Sequence, residues 1–224
     1  MKKLFTILFT VMGFHSFAQS QNDYSYSIGI KVLAIEEFPK LLNEVRTKIP
    51  YNTTAFDGVM LKIIDNQISY RIQVISGKTN DYTFTNECST CETVTGSYKS
   101  FDVKLGFERS MVYTKLQPFY GFDLGFKRAR FDGKSQDKNT NTFFYNAAIE
   151  KNGGSINSFL GLKYSIVPQL TISAEAGIDY IYTYDKEVKS SNANAVLSQN
   201  QFDRWQFTTK PLGLLSLQFN FGRD

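Results

Sequence analysis

"QLTISAEAGIDYIYTY", residues 169–184, alternates apolar and polar side chains along most of its length. Leu170, Ile172, Ala174, Ala176, Ile178 and Tyr180 share one parity, and Glu175, Gly177 and Asp179 share the other. Successive side chains of a strand point to opposite faces, so period two reads as a strand with one greasy face and one carrying two carboxylates. Which face is inside depends on the solvent. A barrel in water hides its apolar face, whereas a barrel in a bilayer turns that face out to hydrocarbon and fills its middle with polar groups.

The same period recurs in eight stretches, near residues 24–33, 57–64, 67–76, 98–109, 115–130, 155–166, 169–184 and 206–221. Asp65 and Asn66 form a tight turn between the second and third, which makes "GVMLKIIDNQISYRIQVIS" a hairpin. Connections after the second, fourth and sixth stretches are short, and those after the first, third, fifth and seventh are polar and about twenty residues long. Strict alternation of short and long connections is the rule for a barrel threaded through a membrane, with short periplasmic turns and long extracellular loops. In the first long connection, "EEFPKLLNEVRTKIP", Phe38, Leu41, Leu42, Val45 and Ile49 fall at helical spacing. Two readings stand: a small amphipathic helix over residues 36–49 packed on the barrel mouth, or a loop ordered on its own apolar residues. The later connections, "GKSQDKNTNTFFYNAAIEKNGG" and "DKEVKSSNANAVLSQNQ", are rich in Asn, Ser and Lys and read as mobile.

The polar faces decide the orientation. They collect Lys31, Lys62, Arg71, Lys104, Lys127 and Lys163 against Asp102, Glu108, Asp123, Glu175 and Asp179, with Gly29, Gly106, Gly121, Gly125, Gly161 and Gly177 on the same parity. Matched charges among small residues suit a crowded lumen. The apolar faces run about 9–11 residues, the length a tilted strand needs to cross a bilayer. They end in aromatics: Tyr180, Tyr182, Tyr184, Trp205 and Phe207 at one level, Phe219 and Phe221 at the other. The expectation is all-β: an eight-stranded antiparallel up-and-down transmembrane β-barrel with a lumenal charge network.

On that hairpin, on the glycine-alternating "FYGFDLGFK" and on the closing "LLSLQFNF", the chain resembles the small outer-membrane β-barrel domain proteins of the OmpA transmembrane-domain and OmpX kind. The resemblance implies residence in the outer membrane of a Gram-negative-type envelope and passage through its insertion machinery. It departs at the end, where Phe221 is followed by Gly222, Arg223 and Asp224 instead of closing on an aromatic residue.

The amino terminus agrees with export. Lys2 and Lys3 precede the apolar run "LFTILFTVMGF", and Ser16 and Ala18 follow it. This pattern is a signal peptide over residues 1–18, leaving residues 19–224 as one barrel domain. The run of about 11 apolar residues is shorter than the ~20 of a spanning helix. Removing residues 1–18 takes away Lys2, Lys3 and the sole histidine, His15, leaving 23 basic and 21 acidic side chains, so the balance carries no nucleic-acid footprint.

A chain without histidine has no Ser-His triad and no histidine metal site. Glu175 and Asp179 would stand about 13 Å apart along one strand face, far for joint acid–base work. Cys88 and Cys91, in "NECSTCET", lack the βαβ setting of a redox motif and the further ligands of a zinc site. They read as a local disulfide in a surface loop, with two free thiols as the other possibility. No phosphate loop or dinucleotide fingerprint occurs. The expectation is a non-enzymatic barrel without cofactor or metal, with the outer-membrane bilayer around it and a surface for an extracellular ligand or protein at its loops. A narrow channel for small solutes or ions and a soluble periplasmic barrel for an apolar ligand are the alternatives.

Overall fold

The computed structural model describes residues 24–46, 48–86, 92–193 and 195–223. The expected leader and both cysteines lie outside them. Eight strands follow in chain order: β1 Tyr24–Glu37, β2 Tyr51–Asp65, β3 Ile68–Thr85, β4 Glu92–Ser110, β5 Leu116–Asp137, β6 Phe143–Val167, β7 Leu170–Ser190 and β8 Val196–Arg223. Each pairs antiparallel with the next, and β8 returns to β1, closing the barrel. Closure leaves no free edge at the level of the belt, the condition for crossing hydrocarbon with strands. Asn66, with φ 52°, takes the left-handed conformation that the two-residue β2–β3 turn requires.

One parity of each strand points outward and carries the apolar belt. On β5 it runs from Leu116 to Phe126, with Leu124 64% exposed, and on β6 it includes Leu160, 65% exposed. Such exposure of contiguous leucine, isoleucine and phenylalanine is untenable in water and natural against lipid. At the upper rim Tyr180 stacks on Trp205 at 5.1 Å and Tyr182 lies 4.4 Å from the same indole. At the lower rim Tyr26 stacks on Phe221 at 5.8 Å.

Several strands outrun the sequence expectation, and their polarity reverses as they do. Above Phe126 the outward residues of β5 become Arg128, Arg130, Asp132 and Lys134, while the inward ones change from Asp123 and Lys127 to Ala129 and Phe131. The stretches expected as mobile polar loops are therefore largely paired strand, with Gln136 opposite Phe143 and Ser190 opposite Val196. Water replaces hydrocarbon at that height, so the ordinary rule of apolar-in and polar-out returns. Phe84, Val94, Tyr98, Phe131, Tyr145 and Ile149 form an apolar core inside the upper wall.

The first connection supplies the rest of that core. Among its described residues there is no helix; it is the loop ordered on its apolar residues. Leu42 turns the chain at φ 45°, and Phe38, Leu41 and Leu42 are buried in the mouth, with Phe38 stacked on Tyr82 at 3.8 Å. Each such side chain contributes roughly 1.5–3 kcal/mol of burial. The loop is needed there because β1 and β2 are short. β3 above Ile75 pairs only with β4, and β8 above Leu212 pairs only with β7, so the upper wall is six strands with the loop across the gap.

Leu160→Arg should lower the free energy of folding into lipid vesicles by about 2–4 kcal/mol. Asn152→Arg, on the same face of β6 but above the belt, should change it by less than about 0.5 kcal/mol; urea titration in vesicles measures both.

Candidate functional site

The inward parity of the belt holds charge in three tiers. In the lowest, Lys62 donates to both carboxylate oxygens of Glu108 at 2.8 and 2.9 Å, and Lys163 pairs with the same group. Arg71 reaches Asp123 through Nε and Nη2 at 2.8 and 2.7 Å and Glu175 through Nη1 and Nη2 at 2.6 and 3.1 Å, with Glu108 at 3.3 Å. Paired N–H donors in a planar fork make these the strongest class of ion pair. Asn157 donates to Asp123 at 3.2 Å.

In the middle tier Asp179 meets Lys210 at 2.6 Å and Lys104 at 3.6 Å, and Glu36 meets Lys210 at 3.6 Å and Lys31 at 3.4 Å. Lys31 also lies 3.4 Å from Asp57, and Lys127 pairs with Asp102 at 3.5 Å. The highest tier joins Lys151 and Arg204 to Asp185 at 2.5 and 3.0 Å, with Glu187 3.6 Å from Arg204. Glu175 and Asp179 thus answer to different cations in different tiers. All eleven charged residues singled out from sequence point inward, and the ion pairs above place each in one of the lower two tiers.

Aromatic rings and glycines complete the packing. Phe119 and Phe159 point into the lumen, each opposite a glycine on the neighbouring strand: Phe119 faces Gly161 and Phe159 faces Gly121. A Cβ on Gly161 or Gly121 would come within 2.4 Å of the facing ring, so only glycine admits it. The Arg71 guanidinium carbon sits 3.7 Å from the Phe159 ring centre, and the Lys163 ammonium 4.6 Å from that of Phe119. The spaces left are small: about 50 Å³ beside Lys31 and Asp102, about 20 Å³ beside Lys62 and Glu108, about 10 Å³ beside Lys104 and Glu175. Such voids hold from one to a few waters each.

Sequence reasoning passed over Glu36, Asp57, Lys151, Asp185, Glu187, Arg204 and Lys210, and the rings of Phe119 and Phe159. For Lys151 and Asp185 the signal was present, since they continue the parity of Lys163 and Asp179 beyond the assigned strand ends. For Lys210 it was not. Three residues, Pro211 to Gly213, bulge out between Lys210 and Leu214, which pair with Gly177 and Glu175, and the bulge breaks the alternation of β8.

Above the belt a hydrogen-bond cluster surrounds Glu92, which accepts from Ser135 at 2.6 Å, Tyr145 at 2.5 Å and Asn86 at 2.9 Å. Burial alone would raise this carboxyl, but those three donors, together with the nearby Lys189 charge, outweigh it and hold the group below the usual glutamate range. Burial and the same carboxylate push the Tyr145 phenol up. Among the described residues no cluster of metal ligands forms.

No protein-family model and no curated protein matches the sequence. Solved structures do match the chain path. A major outer membrane protein from Thermus thermophilus is similar over 88% of this chain and 99% of its own, with a TM-score of 0.52 and 12% identity. The outer membrane protein OprG from Pseudomonas aeruginosa is similar over 89% of this chain and 98% of its own, with a TM-score of 0.51 and 8% identity. The fold is that of the outer-membrane β-barrels. At such identities the likeness is one of architecture alone.

Arg71→Ala should destabilise the barrel by about 3–5 kcal/mol, because it strands buried carboxylates; the triple variant Arg71→Leu, Asp123→Asn, Glu175→Gln should recover most of that in the same unfolding assay. A second test concerns the mouth. The depressed Glu92 carboxyl contributes stability that is complete above its unfolded pKa of about 4.3 and is lost as pH falls through the folded value. Amide exchange in residues 92–98 and 143–149 should quicken in acid for the native chain, and Glu92→Gln should flatten that dependence.

Proposed function

We propose that this chain is an integral outer-membrane barrel without enzymatic activity, its lumen closed by ion pairs and its work done by the wall and loop above the membrane, in binding, adhesion or envelope integrity. The observation that carries the reading is the reversal of polarity along the long strands β5 and β6. Apolar outside and charged inside at one height, then charged outside and apolar inside above it, is what a wall passing from lipid into water requires.

The packing of the lumen supports closure over conduction. Eight strands leave an interior that side chains fill, and here Arg71, Lys62 and Lys163 with their carboxylates, backed by Phe119 and Phe159, occupy its narrowest tier. Above it, Phe38, Leu41 and Leu42 stop the mouth with apolar atoms. The outward belt weighs against a soluble ligand-binding barrel.

Fractionation should recover the protein with the outer membrane, and its gel mobility should change on boiling; recovery as a soluble species without detergent would contradict membrane residence. In planar bilayers the purified protein should give no steady single-channel openings, and reproducible openings would contradict the closed lumen.

A further inference from the structure

Outward cations gather just above the belt on β3, β4 and β5. Lys78 of β3 lies directly opposite Lys99 of β4. On the other side Lys99 is opposite Arg130 of β5, with Arg128 on the diagonal, and all four side chains are exposed. Arg130 is engaged, by Asp132 at 2.8 Å and Glu150 at 3.6 Å. Lys78, Lys99 and Arg128 have no ion pair among the described residues.

Directly opposite residues bring their Cβ atoms to about 4.5–5.5 Å, and like charges there destabilise the pairing. The Lys78–Lys99 pair therefore costs the wall stability unless an anion lies between the two ammonium groups. A lysine on a free strand edge guards it against other chains, which accounts for Lys78 by itself. It does not account for Lys99, which lies inside the sheet between β3 and β5, or for Arg128. Nor is every strand basic beyond the belt: on β6, β7 and β8 the outward residues there are Asn152, Glu150, Lys186, Asp203 and Gln201, two acids to one base. The level of the patch names the anion. Lys99 stands two residues above Phe101 and Arg128 two above Phe126, roughly 7 Å along a strand, and these phenylalanines belong to the belt, 44% and 53% exposed. Lipid headgroups occupy that depth, a layer roughly 5–8 Å thick outside the hydrocarbon.

We infer that Lys78, Lys99 and Arg128 hold the phosphate monoester headgroup of a lipid in the outer-facing leaflet, with its acyl chains lying over Phe101 and Phe126. A phosphate monoester carries about −1.5 to −2 at pH 7, which matches the two facing ammonium groups. The planar guanidinium of Arg128 adds paired N–H donors for its oxygens. The site rests on the proposed membrane orientation, which puts these three residues at the level of the headgroups.

The protein, purified in detergent, is mixed with phosphatidic acid, whose headgroup is a phosphate monoester, and retained lipid is measured by native mass spectrometry. Saturable retention is expected at concentrations where phosphatidylcholine is shed. The triple variant Lys78→Gln, Lys99→Gln, Arg128→Gln should weaken it roughly tenfold or more, while Lys186→Gln, an outward cation on β7, should leave it unchanged. Stability in vesicles gives a second readout. Lys78→Glu removes the like-charge pair, so it should raise the urea midpoint in phosphatidylcholine and abolish the further rise that added phosphatidic acid gives the native chain. For a barrel that changes mobility on boiling, equal retention by the triple variant, or no rise with phosphatidic acid, overturns the inference alone. So does equal retention of phosphatidylglycerol, a singly charged diester, or an equal rise with inorganic phosphate, which would give the patch to a soluble anion. A preparation that lacks heat-dependent mobility overturns the membrane reading and this inference with it.

Discussion

The guanidinium of Arg71 is the point on which the lower barrel turns. It lies against the Phe159 ring and holds Asp123 and Glu175 through paired hydrogen bonds, with Glu108 shared between it and two lysines. Eight strands surround too little space for water to solvate such groups, so every charge turned inward must find its counter-charge across the lumen. The fork of Arg71 reaches β4, β5 and β7 from β3, and so fastens four strands to one another through their side chains. The cost of desolvating these ions is offset only because the pairs are complete. Gly121 and Gly161 serve the same end, by letting Phe159 and Phe119 lie flat enough to stack beneath the cations.

A single strand such as β5 obeys two opposite solubility rules within its length. Below, hydrocarbon draws Phe122, Leu124 and Phe126 outward; above, water draws Arg128, Arg130 and Asp132 outward and sends Phe131 in. Parity never changes, only the solvent does. The upper section therefore behaves as an ordinary β-sheet with a one-sided core, and a one-sided core in six strands needs a cover. Phe38, Leu41 and Leu42 are that cover, pinned by the Glu44–Tyr82 hydrogen bond at 2.9 Å and by Arg204 against the Leu42 carbonyl. The shortness of β1 and β2, which makes room for this loop, is also what leaves the β8 edge bare.

Much of this was legible from residues alone. Period two, matched charge and glycine on one parity, and aromatic ends on the other were enough for strand number, closure and the inward placement of Glu175 and Asp179. Strand length was not, because Arg130, Asp132, Lys134 and the Asn-rich run beyond them look like loop composition unless one allows the polarity to invert. The two readings of residues 36–49 were inseparable for a related reason: Phe38, Leu41 and Leu42 suit a helical face and a plug equally, and only the gap above Ile75 and Leu212 chooses. The partner of Asp179, Lys210, was hidden by the bulge at Pro211–Gly213, a backbone irregularity that no alternation pattern carries.

One wall, of constant parity, passes from lipid into water partway along its strands. Single cysteines placed at each position of β5 from Phe119 to Ser135, in a Cys88→Ser, Cys91→Ser background reconstituted in vesicles, test it most directly when labelled with a bilayer-soluble and a water-soluble thiol reagent. Even positions up to Phe126 should react only from the lipid phase and even positions from Arg128 onward only from water, while odd positions stay protected throughout. Lipid-phase reactivity at odd positions, or water-phase reactivity at Phe122 and Leu124, would contradict the account.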